Sequence, residues 1–248
     1  MNPLRARFPR LLGFLVAFGL LSPATAFAGS VTLTSPGTFT VLFGGNVDGT
    51  SVPGLTAEAT VHFLGFTTTA SGNTEALFDI TLQNTTSSPL NPSLTSRISA
   101  FGFDVDPNAT GGTVSGVFTK MILNGSLPNQ FGPIEVCVSD GGGSSCAGGG
   151  GGGILKGEEE SFLLTLQFAG VIDELTLDNF GVRYQSIDGK SIDGTRFRDA
   201  SGTGTGTPGG YIPDRDVPEP AMILLFGLGL TAVAAQLRRR RKAAPNRQ

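Results

Sequence analysis

The strongest constraint on the fold of this chain is an alternation of apolar and polar residues with a period of two. It is clearest over Ala76–Leu82, where Phe78, Ile80 and Leu82 alternate with more polar neighbours. Successive side chains of a β-strand point to opposite faces, so this pattern places three apolar residues on one face. Such a face must be covered by a second layer, which indicates a β-sheet with a buried side.

Similar alternation recurs through the centre of the chain, and turn-forming residues such as Ser35, Pro36 and Gly37 separate the stretches. No stretch has the period of an amphipathic helix. We therefore predict an all-β fold of about eight to ten short strands, arranged as an antiparallel β-sandwich or jelly-roll-like domain. The predicted strands include Ser30–Thr34, Thr38–Phe43, Ala57–Phe66, Ala76–Leu82, Arg97–Val105, Thr113–Leu123, Ile134–Val138, Ser161–Phe168 and Leu175–Tyr184.

Both ends of the chain have the composition of targeting segments. Residues 1–28 have three arginines among the first ten residues, followed by the apolar run Leu11–Leu21. They end in a pattern of small residues that includes Ala26 and Ala28. This order predicts a secretory signal peptide that is cleaved after Ala28. The alternative, an uncleaved N-terminal anchor, is disfavoured because the apolar run is short for a membrane span.

The C-terminal end, residues 217–248, combines three features in order. An extended stretch comes first, because proline fixes its own φ and biases the preceding residue away from helix. The uncharged stretch 221–237 follows, and its 17 residues are just long enough to cross a bilayer as a helix. A basic cluster comes last and should hold the chain end in the cytoplasm. Its residues are Arg238, Arg239, Arg240, Arg241 and Lys242.

This order resembles the PEP-CTERM sorting signal of bacterial exported proteins: Pro218, Glu219 and Pro220 match its tripeptide, and with Val217 they form the sorting motif. The resemblance implies recognition and cleavage by an exosortase-type membrane protease. It also implies export through the inner membrane to the cell envelope, outer surface or extracellular matrix, with exopolysaccharide as an expected partner. An ordinary single-pass C-terminal anchor is the alternative.

The middle of the chain resembles the cistern group of PEP-CTERM proteins, a family defined by sequence and sorting rather than by chemistry, so the resemblance implies no activity. It is carried by residues 96–107, Leu127–Gly132, the Cys137 to Cys146 loop with its glycine run, and residues 178–186.

We divide the exported portion into a β-domain over residues 29–187 and a linker over residues 188–216, because the latter stretch is rich in Gly, Ser, Thr and Asp. Between the two targeting segments the chain carries eight Lys and Arg against 19 Asp and Glu, a net charge of −11. So acidic a surface argues against nucleic acid as a partner, since nucleic-acid binding depends on neutralising phosphates.

Two cysteines, Cys137 and Cys146, have eight residues between them in a chain predicted to be exported. An oxidising compartment and an even count favour a disulfide between them. Two thiols without a nearby histidine make only half a zinc site. We expect the glycines at 141–143 and 148–153, which flank or follow this loop, to form a flexible surface segment.

Catalytic chemistry has little support in the sequence. His62 is the single histidine and lies within an alternating strand, so a serine triad would depend on it alone as the base. Asp104 and Asp106 share one strand face and are weak candidate calcium ligands, as are three aspartates near 188–199. Aspartates followed by Pro or Gly are also common in turns. We therefore expect no cofactor, and calcium is the less favoured alternative.

We therefore expect a non-enzymatic exported protein. The alternative is a secreted carbohydrate-binding module or glycan-active enzyme, with or without calcium. The absence of Trp and the presence of only two Tyr weigh against aromatic platforms for stacking sugars.

Overall fold

The computed structural model describes residues 29–214 except 90, 142–144, 150, 191–193 and 195. All regular elements among these residues are β-strands. They are β1 (Val31–Leu33), β2 (Gly37–Val47), β3 (Thr50–Thr68), β4 (Thr74–Gln83), β5 (Thr95–Asp106), β6 (Gly111–Gly116), β7 (Lys120–Leu127), β8 (Gly132–Ser139), β9 (Ile154–Leu155), β10 (Glu159–Phe168), β11 (Leu175–Lys190), β12 (Arg196–Pro208) and β13 (Ile212–Pro213).

The strands form one antiparallel sheet in the order β6-β10-β4-β3-β2-β12-β11-β5-β8-β7. The two ends of this path, β6 and β7, are consecutive in the chain and are joined by residues 117–119. Val117 donates its backbone N–H to the carbonyl of Ser161, and Thr119 donates to Ser139, so the connection reaches from β10 to β8. The sheet is therefore nearly closed into a sandwich.

The interior is filled mainly by the large apolar side chains of β2, β3, β4, β5, β10 and β11. Phenylalanines dominate it: Phe101 contacts Phe43, Phe103 and Phe162 edge-on, with ring centroids 5.7–6.1 Å apart. These rings come from β2, β5 and β10, which are distant in sequence. Aromatic pairs in such edge-to-face arrangements add stability beyond the area they bury. The predicted all-β antiparallel class is thus confirmed.

Most predicted strands appear in the structure, usually longer than predicted. Thr113–Leu123 is the exception, because it divides into β6 and β7 around the buried Phe118. The loop after β4 is irregular, as its composition indicates, but it begins inside the molecule. Asn84 is fully buried, and its side-chain amide donates to Ser96 and to the carbonyl of Ile154.

The predicted linker over residues 188–216 is wrong for most of its length. β11 continues to Lys190, and β12 occupies residues 196–208. β12 pairs with β11 on one side and with β2 on the other, which makes it an interior strand of the sheet. Residues 215 and 216 lie outside the described part of the chain.

β12 resembles a linker in composition because its inward positions are glycines. A Cβ atom on Gly206 would lie 2.6–2.7 Å from atoms of Phe43, Val41 and Phe180, and one on Gly204 would lie 2.8 Å from Val182. Large side chains of the neighbouring strands already fill this space. The outward positions are threonines, which suit a strand. Glycine here reflects close packing and not chain flexibility.

This packing predicts that Gly206→Ala destabilises the fold. The added methyl group has no free space, so we expect the free energy of unfolding to fall by roughly 1–3 kcal/mol in chemical denaturation. Thr207→Val, on the outward face of the same strand, is the matched control and should change it by less than about 0.5 kcal/mol. Equal denaturation midpoints for the two variants would contradict the interior position of β12.

No helix in the described residues has the length and hydropathy needed to cross a bilayer. The predicted signal peptide over residues 1–28, with Ala26 and Ala28, and the predicted span over 221–237 lie outside those residues.

Candidate functional site

The structure places the predicted functional residues in separate regions. The tripeptide stretch 217–220 and the basic cluster 238–242 lie outside the described residues. Cys137 and Cys146 lie near one end of the strand order, and Asp104 and Asp106 lie at the end of β5. His62 lies beside Asp214, which is the last described residue.

Cys137 and Cys146 form a disulfide, as predicted. Both are fully buried and belong to a second, smaller apolar cluster with Ala100, Leu127 and Ile134. This cluster covers the outer face of β5 and β8, opposite the main core. β5 is consequently buried on both faces over most of its length.

The glycine-rich segment after the cysteines is organised around the buried Arg97. The guanidinium group of Arg97 donates to the carboxylate of Asp140 at 2.6 Å, to Gln185 at 2.5 Å and to the carbonyl of Gly149 at 3.0 Å. It also donates to the carbonyl of Gly152. The segment lies at the surface as expected, with Gly152 exposed, but Gly149 and Gly152 are bonded to the arginine because glycine lets backbone carbonyls approach it closely.

We predict that Asp140→Asn strongly destabilises the protein. The side chains of Arg97 and Asp140 are 9% and 1% exposed, so the variant leaves a buried guanidinium without its carboxylate. Removing one partner of a buried pair costs about 3–5 kcal/mol, and we expect a loss in that range in urea unfolding. Asp79→Asn, at an exposed position on β4, is the control. A small effect of Asp140→Asn would mean that solvent reaches Arg97.

The candidate calcium ligands Asp104 and Asp106 lie among acids, but Asp104 is already engaged. One of its oxygens accepts the backbone N–H of Glu135 at 2.7 Å, and the other accepts the side-chain amide of Asn179 at 2.7 Å. Among the described residues, no group of three or more His, Cys, Asp or Glu is placed to hold a metal ion.

Two further acids of this region have perturbed titration. Burial raises the pKa of Glu135, and the charges of Asp104 and Asp106 add to the increase, although backbone N–H groups of Ala109 and Val105 oppose it. Burial also raises the pKa of Asp178, with the same two aspartates contributing. The fold therefore disfavours the ionised form of both side chains.

The raised pKa of Asp178 predicts a pH-dependent effect of Asp178→Asn. The protonated form of Asp178 is favoured in the folded state. Its contribution to the free energy of unfolding is therefore fully present below the ordinary aspartate pKa, and it is lost as pH rises through the raised pKa of the folded state. At about pH 7 the variant should gain roughly 0.5 kcal/mol in free energy of unfolding, since the site is largely exposed. At about pH 3 the two proteins should be equal, because both lack the charge.

Denaturant unfolding at both pH values measures this difference. Asp173→Asn, in the exposed turn before β11, is the control for removing any surface carboxylate. A variant that is less stable than the wild type at neutral pH would show that Asp178 makes a favourable contact.

His62 pairs with the last described residue. Its Nε2 atom lies 2.9 Å from Oδ2 of Asp214, and both side chains are about half exposed. The final strand β13 pairs with the start of β2, and Asp214 donates its N–H to the carbonyl of Pro36 at 2.8 Å. The hydroxyl of Tyr211 donates to the carbonyl of Ser35. The chain is thus held to the sheet as far as residue 214.

A polar cleft of about 420 Å³ lies on the outer face of the sheet and was not predicted from the sequence. Its floor crosses three neighbouring strands. In one row Gly44 of β2 faces Thr205 of β12, which faces Gly181 of β11; in the next row Asn46 faces Thr203. Gly44, at one end of the first row, leaves the floor low, whereas the space over Gly181 at the other end is filled by Phe131.

Two turns form the walls of the cleft. The β2–β3 turn contributes Gly49, the start of β3 contributes Ser51, and the β7–β8 turn contributes Asn129, Gln130 and Phe131. The second turn is held from below: the guanidinium of the buried Arg183 donates to Oδ1 of Asn129 at 2.8 Å. Burial lowers the pKa of Arg183, and the more distant Asp48 opposes that decrease.

The cleft brings together two of the stretches that carry the cistern resemblance, Leu127–Gly132 and residues 178–186. One is a turn and the other is part of a strand, and neither contains a sequence motif that indicates a binding or catalytic site. Their meeting depends on the pairing of β11 with β5 and of β5 with β8, so nothing in either stretch alone indicates a site.

Comparison with known proteins bears on the C-terminal tail. A family model described as the PEP-CTERM protein-sorting motif matches residues 216–241. Searches of curated proteins and of solved structures gave no match. The cistern resemblance stays a prediction. The matched residues include the predicted tripeptide, the apolar stretch and Arg238–Arg241. The chain therefore carries a PEP-CTERM sorting motif, and this motif supports sorting of an exported protein by exosortase.

Proposed function

We propose that this chain is a non-enzymatic protein of the cell envelope or extracellular polysaccharide matrix. Its C-terminal motif delivers it there: the apolar stretch and the basic cluster halt translocation, and exosortase cleaves near Pro218, Glu219 and Pro220. The observation that carries the proposal is the match of the sorting motif to residues 216–241, which begins two residues after Asp214, the last described residue of the sheet-bound chain.

The position of the motif favours processing close to the folded domain. Val217 follows Asp214 by three residues, and consecutive Cα atoms are about 3.8 Å apart, so Val217 lies within about 11 Å of the end of the domain. The predicted linker would have allowed a far greater separation. Exosortase, a membrane protein, must therefore work beside a folded β-domain.

The structure of the described residues favours a role without catalysis. His62 is the single histidine of the chain, and within the described part its side chain hydrogen-bonds to Asp214 at the surface. Asp104 is engaged in hydrogen bonds with Glu135 and Asn179 that connect β5, β8 and β11. Among the described residues, the side-chain hydrogen bond of His62 is with Asp214 and not with a serine, threonine or cysteine that could act as a nucleophile.

Loss of the basic cluster together with Glu219→Gln should abolish processing. Deleting residues 238–242 removes the charges that keep the tail in the cytoplasm, and Glu219→Gln removes the one carboxylate of the tripeptide region. Pulse-labelling should then show the larger precursor persisting, whereas the parent chain is shortened. Mass measurement of the mature C-terminus locates the cleavage.

Glu174→Gln, in the turn before β11, serves as the control and should leave processing unchanged. Unchanged processing and location in the double variant would refute the proposed sorting role. An intact tail on the mature, surface-retained protein would show instead that the C-terminus is an ordinary anchor.

A further inference from the structure

We infer that the polar cleft on the outer face of β2, β12 and β11 binds a neutral polysaccharide through its amide and hydroxyl groups. The inference deepens the proposed function, because it gives a matrix polysaccharide a site on the folded domain. It rests on the cleft and not on the tail, so its test measures binding and can fail independently of sorting.

The lining of the cleft has the hydrogen-bonding chemistry of a sugar site. Its polar side chains are amides and hydroxyls, and neither a carboxylate nor a cationic group is among them. These side chains are Asn46, Ser51, Asn129, Gln130, Asn179, Thr203 and Thr205. Amides and hydroxyls both donate and accept, which matches the hydroxyl groups of a sugar ring. A volume of about 420 Å³ accommodates one or two such rings.

Several of these groups have hydrogen-bonding capacity to spare. Asn46 is fixed because its side-chain amide donates to the carbonyl of Thr203 and accepts the N–H of Gly49. Asn129 is fixed by the hydrogen bond from Arg183. In contrast, the hydrogen bonds between described residues do not use the side chains of Gln130 or Thr205. The hydroxyl of Thr203 has no partner among the described residues either, but it is buried within the floor. Fixed amides thus surround the side chains of Gln130 and Thr205, which are exposed and free to bond a ligand.

The cleft also has one aromatic wall, held in place by a glycine. A Cβ atom on Gly181 would lie 2.5–2.7 Å from atoms of Phe131, so the ring fits only because residue 181 has no side chain. Phe131 packs on the cluster beneath the disulfide and lines the cleft with its remaining surface. An aromatic ring beside amides offers both contacts that a sugar makes, apolar with C–H groups and polar with hydroxyls.

The backbone around the cleft is held in a sparsely populated conformation. Asn129, Gln130 and Asn179 have φ values of 58°, 66° and 47°. Asparagine tolerates the left-handed region, but glutamine seldom occupies it, so the turn is held there by its surroundings. The anchoring bond from Arg183 to Asn129 is one such restraint. Preorganised groups lose less conformational freedom on binding a ligand.

Charge favours a neutral polysaccharide over an acidic one. The lining carries no cation to pair with uronate groups, and the nearest guanidinium, of Arg183, is buried beneath it. The exported portion has a net charge of −11, which repels a polyanion at long range.

Binding by the full chain, purified in detergent, tests the inference. The probes are dextran and a galactomannan as neutral polymers and alginate as the acidic one, measured by affinity electrophoresis and calorimetry. We expect a neutral polymer to bind and alginate not to bind. Gly44→Leu should block the cleft, because a Cβ atom there meets nothing within 4 Å and the longer side chain projects into the open space.

We expect Gly44→Leu to abolish binding of the neutral polymer, and Thr205→Val to raise its Kd about tenfold, as for the loss of one or two hydrogen bonds. Gly210→Leu and Thr207→Val are matched controls outside the cleft, and both should bind as the parent does. Denaturant midpoints establish that each variant is folded. Parent-like binding by a folded Gly44→Leu, stronger binding of alginate, or failure of both neutral polymers to bind would each overturn the inference.

Discussion

The closure of the sheet depends on the contact between the glycines of β12 and the large side chains of β2 and β11. β12 joins the β2 half of the sheet to the β11 half, and its inward positions must leave room for Phe43, Phe180 and Tyr184. A strand of ordinary apolar residues would overfill the interior. A strand without the outward threonines would have little to hold it in an extended conformation. Both halves of the core meet along this strand.

The same row of small residues shapes the outer surface. Gly44 and Gly181 lie on either side of Thr205, and the two turns beside them project further from the sheet, which produces the cleft. The cysteine loop covers the neighbouring outer face and buries Arg97 with Asp140. In this half of the domain, both faces of the sheet are therefore covered. The disulfide and the ion pair stabilise a covering segment that is too rich in glycine to bury much apolar surface itself.

Pattern analysis of the sequence was reliable for strands that have one buried face, and for the cysteine pair. The alternation over Ala76–Leu82 predicted β4, and Cys137 with Cys146 predicted the disulfide. It failed at residues 188–208, since glycine in a close-packed strand and glycine in a flexible linker give the same composition. It also missed the cleft, because Asn46, Gln130 and Thr203 are ordinary polar residues until strand pairing brings them together.

The sequence by itself determined the presence of a sorting signal and the class of the fold. The sorting motif at 216–241 is a linear signal read by a membrane enzyme, and the period of two is a local property of each strand. Only the tertiary structure decided which strands are neighbours, where Arg97 finds its carboxylate, and that the chain is held to the sheet as far as Asp214. Those facts depend on contacts between residues far apart in the chain, and local composition carries no information about such contacts.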